Sequence, residues 1–140
     1  MNQPGPFQLT QNGVAFQIVG PGTLIGDFVE GLDGVQAITF QAQFLYGSGG
    51  SSVTAYLQTS IDQGNSWIDI AAVQFTTVGG AEMLNLSGLT PKTTPIIPTN
   101  QALTPGQTVD GILGDRFRAV VVVAGAYGSS SLLNITGCAR

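Results

Sequence analysis

The sequence predicts an all-β protein, a single antiparallel β-sandwich of about seven to nine strands with a jelly-roll-like arrangement. Three observations predict it. Short apolar segments alternate with period two, 20 glycines and seven prolines separate these segments, and the octapeptide at residues 60–67 has the composition of a tight turn between two strands. The 140 residues suffice for one domain with one core.

The N-terminal quarter predicts an arm followed by two strands. Residues 1–12 are rich in Pro, Gln and Asn and read as an extended arm, and residues 13–140 read as the sandwich domain. The first candidate strand, 14–19, is stopped by Gly-Pro-Gly. The second, 23–29, contains Gly26, which permits a bulge or a bend.

Residues 35–46 form the clearest predicted strand. Ile38, Phe40, Phe44 and their alternate neighbours fall on one side, and Thr and Gln residues fall on the other. That division places one side in the core and leaves the other to solvent or a partner. The Gly- and Ser-rich residues 47–51 then form a loop.

The octapeptide has the form of an Asp-box, Ser-x-Asp-x-Gly-x-Ser-Trp, between candidate strands at 53–60 and 67–75. We expect the carboxylate to accept hydrogen bonds from backbone amides across the turn and the glycine to adopt a positive φ. We expect the Trp to cover the turn. The turn residues are Ser60, Asp62, Gly64, Ser66 and Trp67.

The alternating pattern stops after a short candidate strand at 81–86. Residues 87–106 contain four prolines, and proline cannot donate to a strand ladder, so we expect a long loop. Loops of this length are usually functional or disordered, and this one is predicted to mediate interaction. The predicted interface comprises Pro95, Ile96, Ile97 and Pro98 of this loop and Pro4, Phe7 and Leu9 of the arm. The competing interpretation folds Ile96 and Ile97 back onto the core.

Two strands complete the domain. Residues 116–124 alternate on one side through Phe117 and valines, and valines on the other side indicate that both sides are covered. A turn at 125–130 leads to the last candidate strand, 131–138. This strand holds Cys138, the sole cysteine, for which the favoured interpretation is a small, partly buried apolar residue.

Charge is scarce in this chain. Charged residues make up 9% of it and the net charge is −4, with only four basic residues. Clustered Lys and Arg are needed to bind phosphates, so neither nucleic acid nor an anionic membrane is an expected partner. Gln, Asn, Ser and Thr supply the polar surface instead, which reduces repulsion between copies. The start of the chain has no pattern of a secretory signal.

The residues needed for catalysis are largely missing. The sequence has no histidine, which excludes a Ser-His-Asp triad and a Cys-His pair. The single cysteine gives no zinc motif. Asp27, Glu30 and Asp33 lie close together in sequence and could hold a hard cation with backbone carbonyls, but a solvated acidic turn is the favoured interpretation. We therefore expect no enzyme activity, no cofactor and no metal.

Two segments together resemble small β-rich structural proteins of tailed bacteriophages that are encoded near capsid genes. The first is 53–71, which contains the Asp-box hairpin. The second is 113–125 followed by a closing strand that ends Cys138-Ala139-Arg140. In glycan-cleaving sialidases the Asp-box is a structural turn away from the active centre, and only the octapeptide matches them.

The phage resemblance implies a virion component made in the host cytoplasm. It favours a capsid decoration, or cement, protein that binds the capsid exterior and clamps adjacent capsomers. Its expected partners are the major capsid protein or other virion proteins and further copies of itself, as a cyclic homo-oligomer, with a trimer preferred.

Two alternatives remain open. The first is a tail, fibre or head–tail joining module of the virion. The second is a glycan-binding module that would stack sugars on Trp67, Tyr46, Tyr56 and Tyr127, set against the interpretation that these rings serve packing.

Overall fold

β-Strands are the regular secondary structure of residues 5–32 and 34–140, the part of the chain that the computed structural model describes. This confirms the predicted all-β class. No helix in those ranges is long and apolar enough to cross a membrane. The strands are β1 (Gly5–Leu9), β2 (Phe16–Gln17), β3 (Gly22–Ile25), β4 (Ala37–Leu45), β5 (Ser48–Gly49), β6 (Ser52–Ser60), β7 (Ile68–Phe75), β8 (Gly80–Ser87), β9 (Arg116–Ala124), β10 (Tyr127–Gly128) and β11 (Leu132–Ala139).

The longer strands form two antiparallel sheets. Sheet I has the order β1-β11-β4-β8, with β2 also paired to β11, and sheet II has the order β3-β9-β6-β7. The pairs β1–β11, β3–β9, β4–β8 and β6–β7 join the first half of the chain to the second as one antiparallel ribbon. Along this ribbon the pairs alternate between sheet I and sheet II. This arrangement is a jelly roll, as predicted. The octapeptide turn lies at the tip of the ribbon.

The strand count exceeds the prediction because three strands have only two residues. β2 is all that forms within the candidate strand 14–19. β5 and β10 pair with each other inside segments predicted as a loop and a turn. Side-chain alternation cannot reveal strands this short, because two residues do not establish a period.

The core lies between the inner faces of the two sheets. Phe40 of sheet I contacts Phe117 of sheet II with ring centroids 6.4 Å apart, and Phe44 contacts Phe75 at 5.5 Å. These side chains belong to one continuous apolar cluster. Each fully buried large apolar side chain contributes about 1.5–3 kcal/mol to stability, so this cluster is the main source of the fold's stability.

The segment predicted as an arm supplies β1, an edge strand of sheet I. Leu9 is 1% exposed and belongs to the core, and Phe7 packs edge-on against Phe40 at 6.2 Å. Gly137 of β11 makes room for the Phe7 ring, because a Cβ there would lie 2.5 Å from the Cζ of Phe7. The described part of the arm is therefore held by the same sheet as β4.

Gly26 marks the bend that ends β3. Its N–H donates to the carbonyl oxygen of Ala119 at 2.9 Å, and the next N–H donates to Thr10 at 2.7 Å. A Cβ at Gly26 would lie 2.7 Å from both the Ala119 carbonyl oxygen and the Cζ of the buried Phe16. The chain can pass between β9 and β2 only because this residue lacks a side chain.

We expect Gly26→Ala to lower the free energy of unfolding by about 1–3 kcal/mol, because overpacking forces the backbone to shift. Guanidinium denaturation measures the change. Gly80→Ala is the matched control, since its Cβ would meet nothing within 4 Å. The control should be at least as stable as the wild type, and equal losses in the two variants would contradict the close approach at Gly26.

Candidate interaction surface

The octapeptide turn is closed by the carboxylate of Asp62. One oxygen accepts the Ser66 N–H at 2.9 Å and the Ser60 hydroxyl at 2.8 Å, and the other accepts the Ser66 hydroxyl at 2.6 Å. The Gly64 N–H donates to the Ser60 hydroxyl oxygen at 2.8 Å. Gly64 has a φ of 88° and Gln63 a φ of 62°. These bonds make the connection between β6 and β7 rigid.

Trp67 lies beside this turn within a stack of aromatic rings and guanidinium groups. The guanidinium carbon of Arg118 is 4.4 Å from the centroid of the Trp67 ring, and Phe28 contacts Trp67 at 6.3 Å between centroids. Arg116 lies 5.1 Å from the Phe28 ring and donates to the carbonyl oxygen of Gln63 at 2.8 Å. Trp67 therefore joins the turn to β9, and Arg118 covers one face of its ring.

The four aromatic residues considered for sugar stacking do not form one platform. Tyr127 is 4% exposed and its hydroxyl donates to the carbonyl oxygen of Thr76 at 2.7 Å. The hydroxyl of Tyr46 donates to Gly49 at 2.9 Å, and its ring packs on Phe44. Those two lie at the opposite end of the β6–β7 hairpin from Trp67.

A buried carboxylate, Asp69, anchors the Pro-rich loop. A β-bulge at Ile70 places Asp69 opposite Gln58 on the outer side of sheet II. Asp69 is 2% exposed, and five donors surround its two oxygens. They are Gln58 Nε2 at 2.8 Å, Thr99 Oγ1 at 2.8 Å and the N–H groups of Gln101 at 2.9 Å, Ala102 at 3.0 Å and Leu103 at 3.1 Å.

These hydrogen bonds keep Asp69 charged. Burial alone would raise the pKa of the Asp69 carboxyl, but the Ala102 N–H, the Gln58 amide, the Gln101 N–H and the Thr99 hydroxyl outweigh burial and lower the pKa. Charge-assisted hydrogen bonds are roughly twice as strong as neutral ones. The segment from 99 to 103 is therefore held firmly to β7.

The same loop then covers the free edge of β7. The Ala72 N–H donates to Gln107, the Gly106 N–H donates to Ala72, and the Val109 N–H donates to Ile70, at 3.1, 2.8 and 2.8 Å. Thr108 forms an isolated bridge with Ala71. An uncovered edge strand is a template for pairing with another chain, so this loop protects sheet II from edge-to-edge association.

Between its anchor and β8 the loop exposes apolar side chains. Ile97 is 91% exposed and Ile96 40%, and Pro95 and Pro98 are exposed as well. Ile61 of the octapeptide is 73% exposed and lines, with Ile96, Pro98 and Ile112, an open groove of about 320 Å³. We call Ile61, Ile96, Ile97, Pro98 and Ile112 the tip patch. The sequence analysis did not predict Ile61 as an interface residue, because it occupies a variable position of the Asp-box motif.

The remaining predicted interface residues lie elsewhere. Phe7 is half-buried against the core, and Leu9 is fully buried, so the interface prediction is corrected for Leu9. Leu9 faces inward because β1 pairs with β11 and alternates in register with it. Pro4 lies outside the described residues.

Most acidic side chains in the described ranges serve the backbone or a salt bridge. Asp27 accepts the Gly13 N–H at 2.9 Å, and Glu30 pairs with Arg116 at 3.3 Å. Asp33 is not described. Residues 5–32 and 34–140 contain no group of three His, Cys, Asp or Glu arranged to hold a metal ion. Cys138 is exposed, which corrects the expectation of partial burial; it lies on the outer face of β11.

Comparisons with protein-family models, with curated proteins and with solved structures found no match to this chain.

The turn makes a prediction about pH. The Ser66 hydroxyl, then the Ser66 N–H and the Ser60 hydroxyl, lower the pKa of Asp62 to about 2. Because this value lies below the unfolded value of about 3.9, ionised Asp62 stabilises the fold above pH 3.9, and this contribution is lost as the pH falls toward 2. An NMR titration of the carboxyl carbon should show the low midpoint.

Ser66→Ala should raise the pKa of Asp62 toward the ordinary value, because it removes the hydroxyl that lowers it most. Ser51→Ala should leave the titration of Asp62 unchanged, because Ser51 lies just before β6, at the end of that strand away from the turn. An ordinary Asp62 midpoint in the wild-type protein would contradict the turn geometry.

A second prediction concerns the loop anchor. In Asp69→Asn one hydrogen-bond acceptor of the carboxylate becomes a donor, and bonds to a charged group worth about 1.5–3 kcal/mol each are lost. Amide exchange at Gln101, Ala102 and Leu103, followed by NMR, should accelerate at least about tenfold.

Asp110→Asn is the control for this variant, because Asp110 accepts the Ser87 N–H at 2.6 Å and takes no bond from residues 101–103. Exchange at 101–103 that is the same in both variants would mean that Asp69 does not hold the loop.

Proposed function

We propose that this protein is a structural component of a bacteriophage virion, a capsid decoration protein that adheres to the shell exterior through the tip patch. The observation that carries the proposal is the loop that exposes Ile97 beside an apolar groove while Asp69 fixes the loop's base. A rigid apolar projection loses little conformational entropy on docking. The jelly roll supports the proposal further, since this topology recurs in viral capsid domains.

The energetics of the tip patch suit repeated, weak attachment. Burying one large apolar side chain contributes about 1.5–3 kcal/mol, so the exposed isoleucines give modest affinity at a single site. A shell offers many equivalent sites, and linked copies bind them with an effective concentration in the millimolar range. The chain also has few charges that would repel neighbouring copies.

The proposal is tested on expanded shells assembled from the major capsid protein of the virion to which the proposal assigns this chain. Ile97→Asp should abolish co-sedimentation with shells, because docking would bury an unpaired charge, while the folded state keeps its circular dichroism spectrum. Wild-type protein should raise the temperature at which the shells disrupt.

Val78→Asp is the matched control, since Val78 is 70% exposed and lies in the turn between β7 and β8, outside the tip patch. This variant should bind shells like the wild type. Absence of wild-type binding to shells, with co-purification on tails, would replace the proposal with a tail or joining module.

A glycan-binding role has narrower support. Jelly rolls also occur in lectins. Tyr56 lies on the outer side of sheet II, and Trp67 stacks on Arg118, which is paired with Gln58 on that side. Arg118 covers one face of Trp67, which leaves less aromatic surface for a sugar ring. Glycan binding that Trp67→Ala abolishes, with the fold intact, would favour this role.

A further inference from the structure

Among residues 5–32 and 34–140, the strands of sheet I present an open outer β-surface with no charged side chain pointing outward. Glu82 is the one charged residue within β1, β4, β8 and β11. It is paired with Ala42, whose side chain points toward the core, so Glu82 does not lie on the outer face. The outward positions hold amides, hydroxyls and apolar groups. They are Pro6 and Gln8 of β1, Thr39, Gln41, Gln43 and Leu45 of β4, Ala81, Met83 and Asn85 of β8, and Leu132, Asn134, Thr136 and Cys138 of β11.

The two outer faces of the sandwich differ in cover. On sheet II, Gln58 and Val120 are fully buried although they point away from the core. On sheet I, Met83 is 66% and Leu45 46% exposed, and Gln41, which is paired with Met83, is exposed as well. Proteins usually place charges on solvated sheets to prevent association, but the outward positions within the described strands of this face have none, and Arg140 lies at its end, paired with Ala37 just beyond β11.

We infer that the outer face of sheet I is a two-fold self-association surface, on which a second copy of this chain docks face to face. Two arguments select a second copy as the occupant. The amides of Gln41, Gln43 and Asn134 both donate and accept hydrogen bonds, so a surface made of them is complementary to itself. The strands of this face are also neutral apart from Arg140 at its end, although the chain carries a net charge of −4, so the centres of two copies meet with little repulsion.

The size of the face sets the strength of pairing. Four strands about 4.8 Å apart, of which β1 has five residues and the others eight or nine, cover roughly 500 Å² in projection. Stable complexes bury about 800 Å² per partner, so this dimer is weak and forms only at high protein concentration. The pairing uses a surface separate from the tip patch.

Sedimentation velocity between about 10 µM and 1 mM protein, the range in which a small interface associates, tests the inference. The wild type should shift toward a dimer. Gln41→Glu and Gln41→Lys should each weaken association at least about tenfold, because like charges meet near the two-fold axis. Mixing the two variants should restore association, because each then meets the opposite charge.

Gln107→Glu is the control for the added charge, since Gln107 is exposed on the loop beside sheet II. It should associate like the wild type. A wild type that stays monomeric throughout, association that both Gln41 variants retain, or a mixture that fails to recover would each overturn the inference. Ile97→Asp should still dimerise, so a failure of shell binding is distinguishable from a failure of self-association.

Discussion

The buried carboxylate of Asp69 is the interaction on which the surface of this protein depends. A charge removed from water is tolerated only when donors surround it, and five donors do so. Three of them are consecutive backbone N–H groups of a segment without regular structure. The hydrogen bonds to this one carboxylate therefore fix the path of a loop that forms no strand of its own.

That constraint determines both exposed surfaces. Because the loop continues along β7, it covers the edge of sheet II and buries Gln58. The side-chain oxygen of Gln58 also accepts a hydrogen bond from the Nε of Arg118 at 2.9 Å. The approach to that anchor presents Ile96 and Ile97 at the tip of the ribbon. No other segment among residues 5–32 and 34–140 gives sheet I comparable cover, so its outer face is open in the described structure. The molecule thus offers a compact apolar patch at one end and a broad neutral face along one side.

The sequence was sufficient where local periodicity decides the structure. The strands at 35–46, 53–60 and 116–124 alternate because one side packs on the core, and the Asp-box turn is specified by residues within hydrogen-bonding reach of one another. β1 escaped notice because Gly5 and Pro6 obscure the alternation of Phe7 and Leu9. The path of the loop could not be predicted, since it depends on a partner 30 residues or more away along the chain. The one available signal was an acid between two isoleucines, Asp69 flanked by Ile68 and Ile70, which indicates a carboxylate that needs partners.

The proposed function requires this rigid jelly roll to adhere to shells through the tip patch. Hydrogen–deuterium exchange of the protein, free and bound to expanded shells, shows which surface is covered on binding. We expect slower exchange on binding in peptides that contain Ile61 and residues 95–98, with the strands of the core unchanged. Protection confined to other surfaces, or no protection at saturating shell concentration, would contradict it.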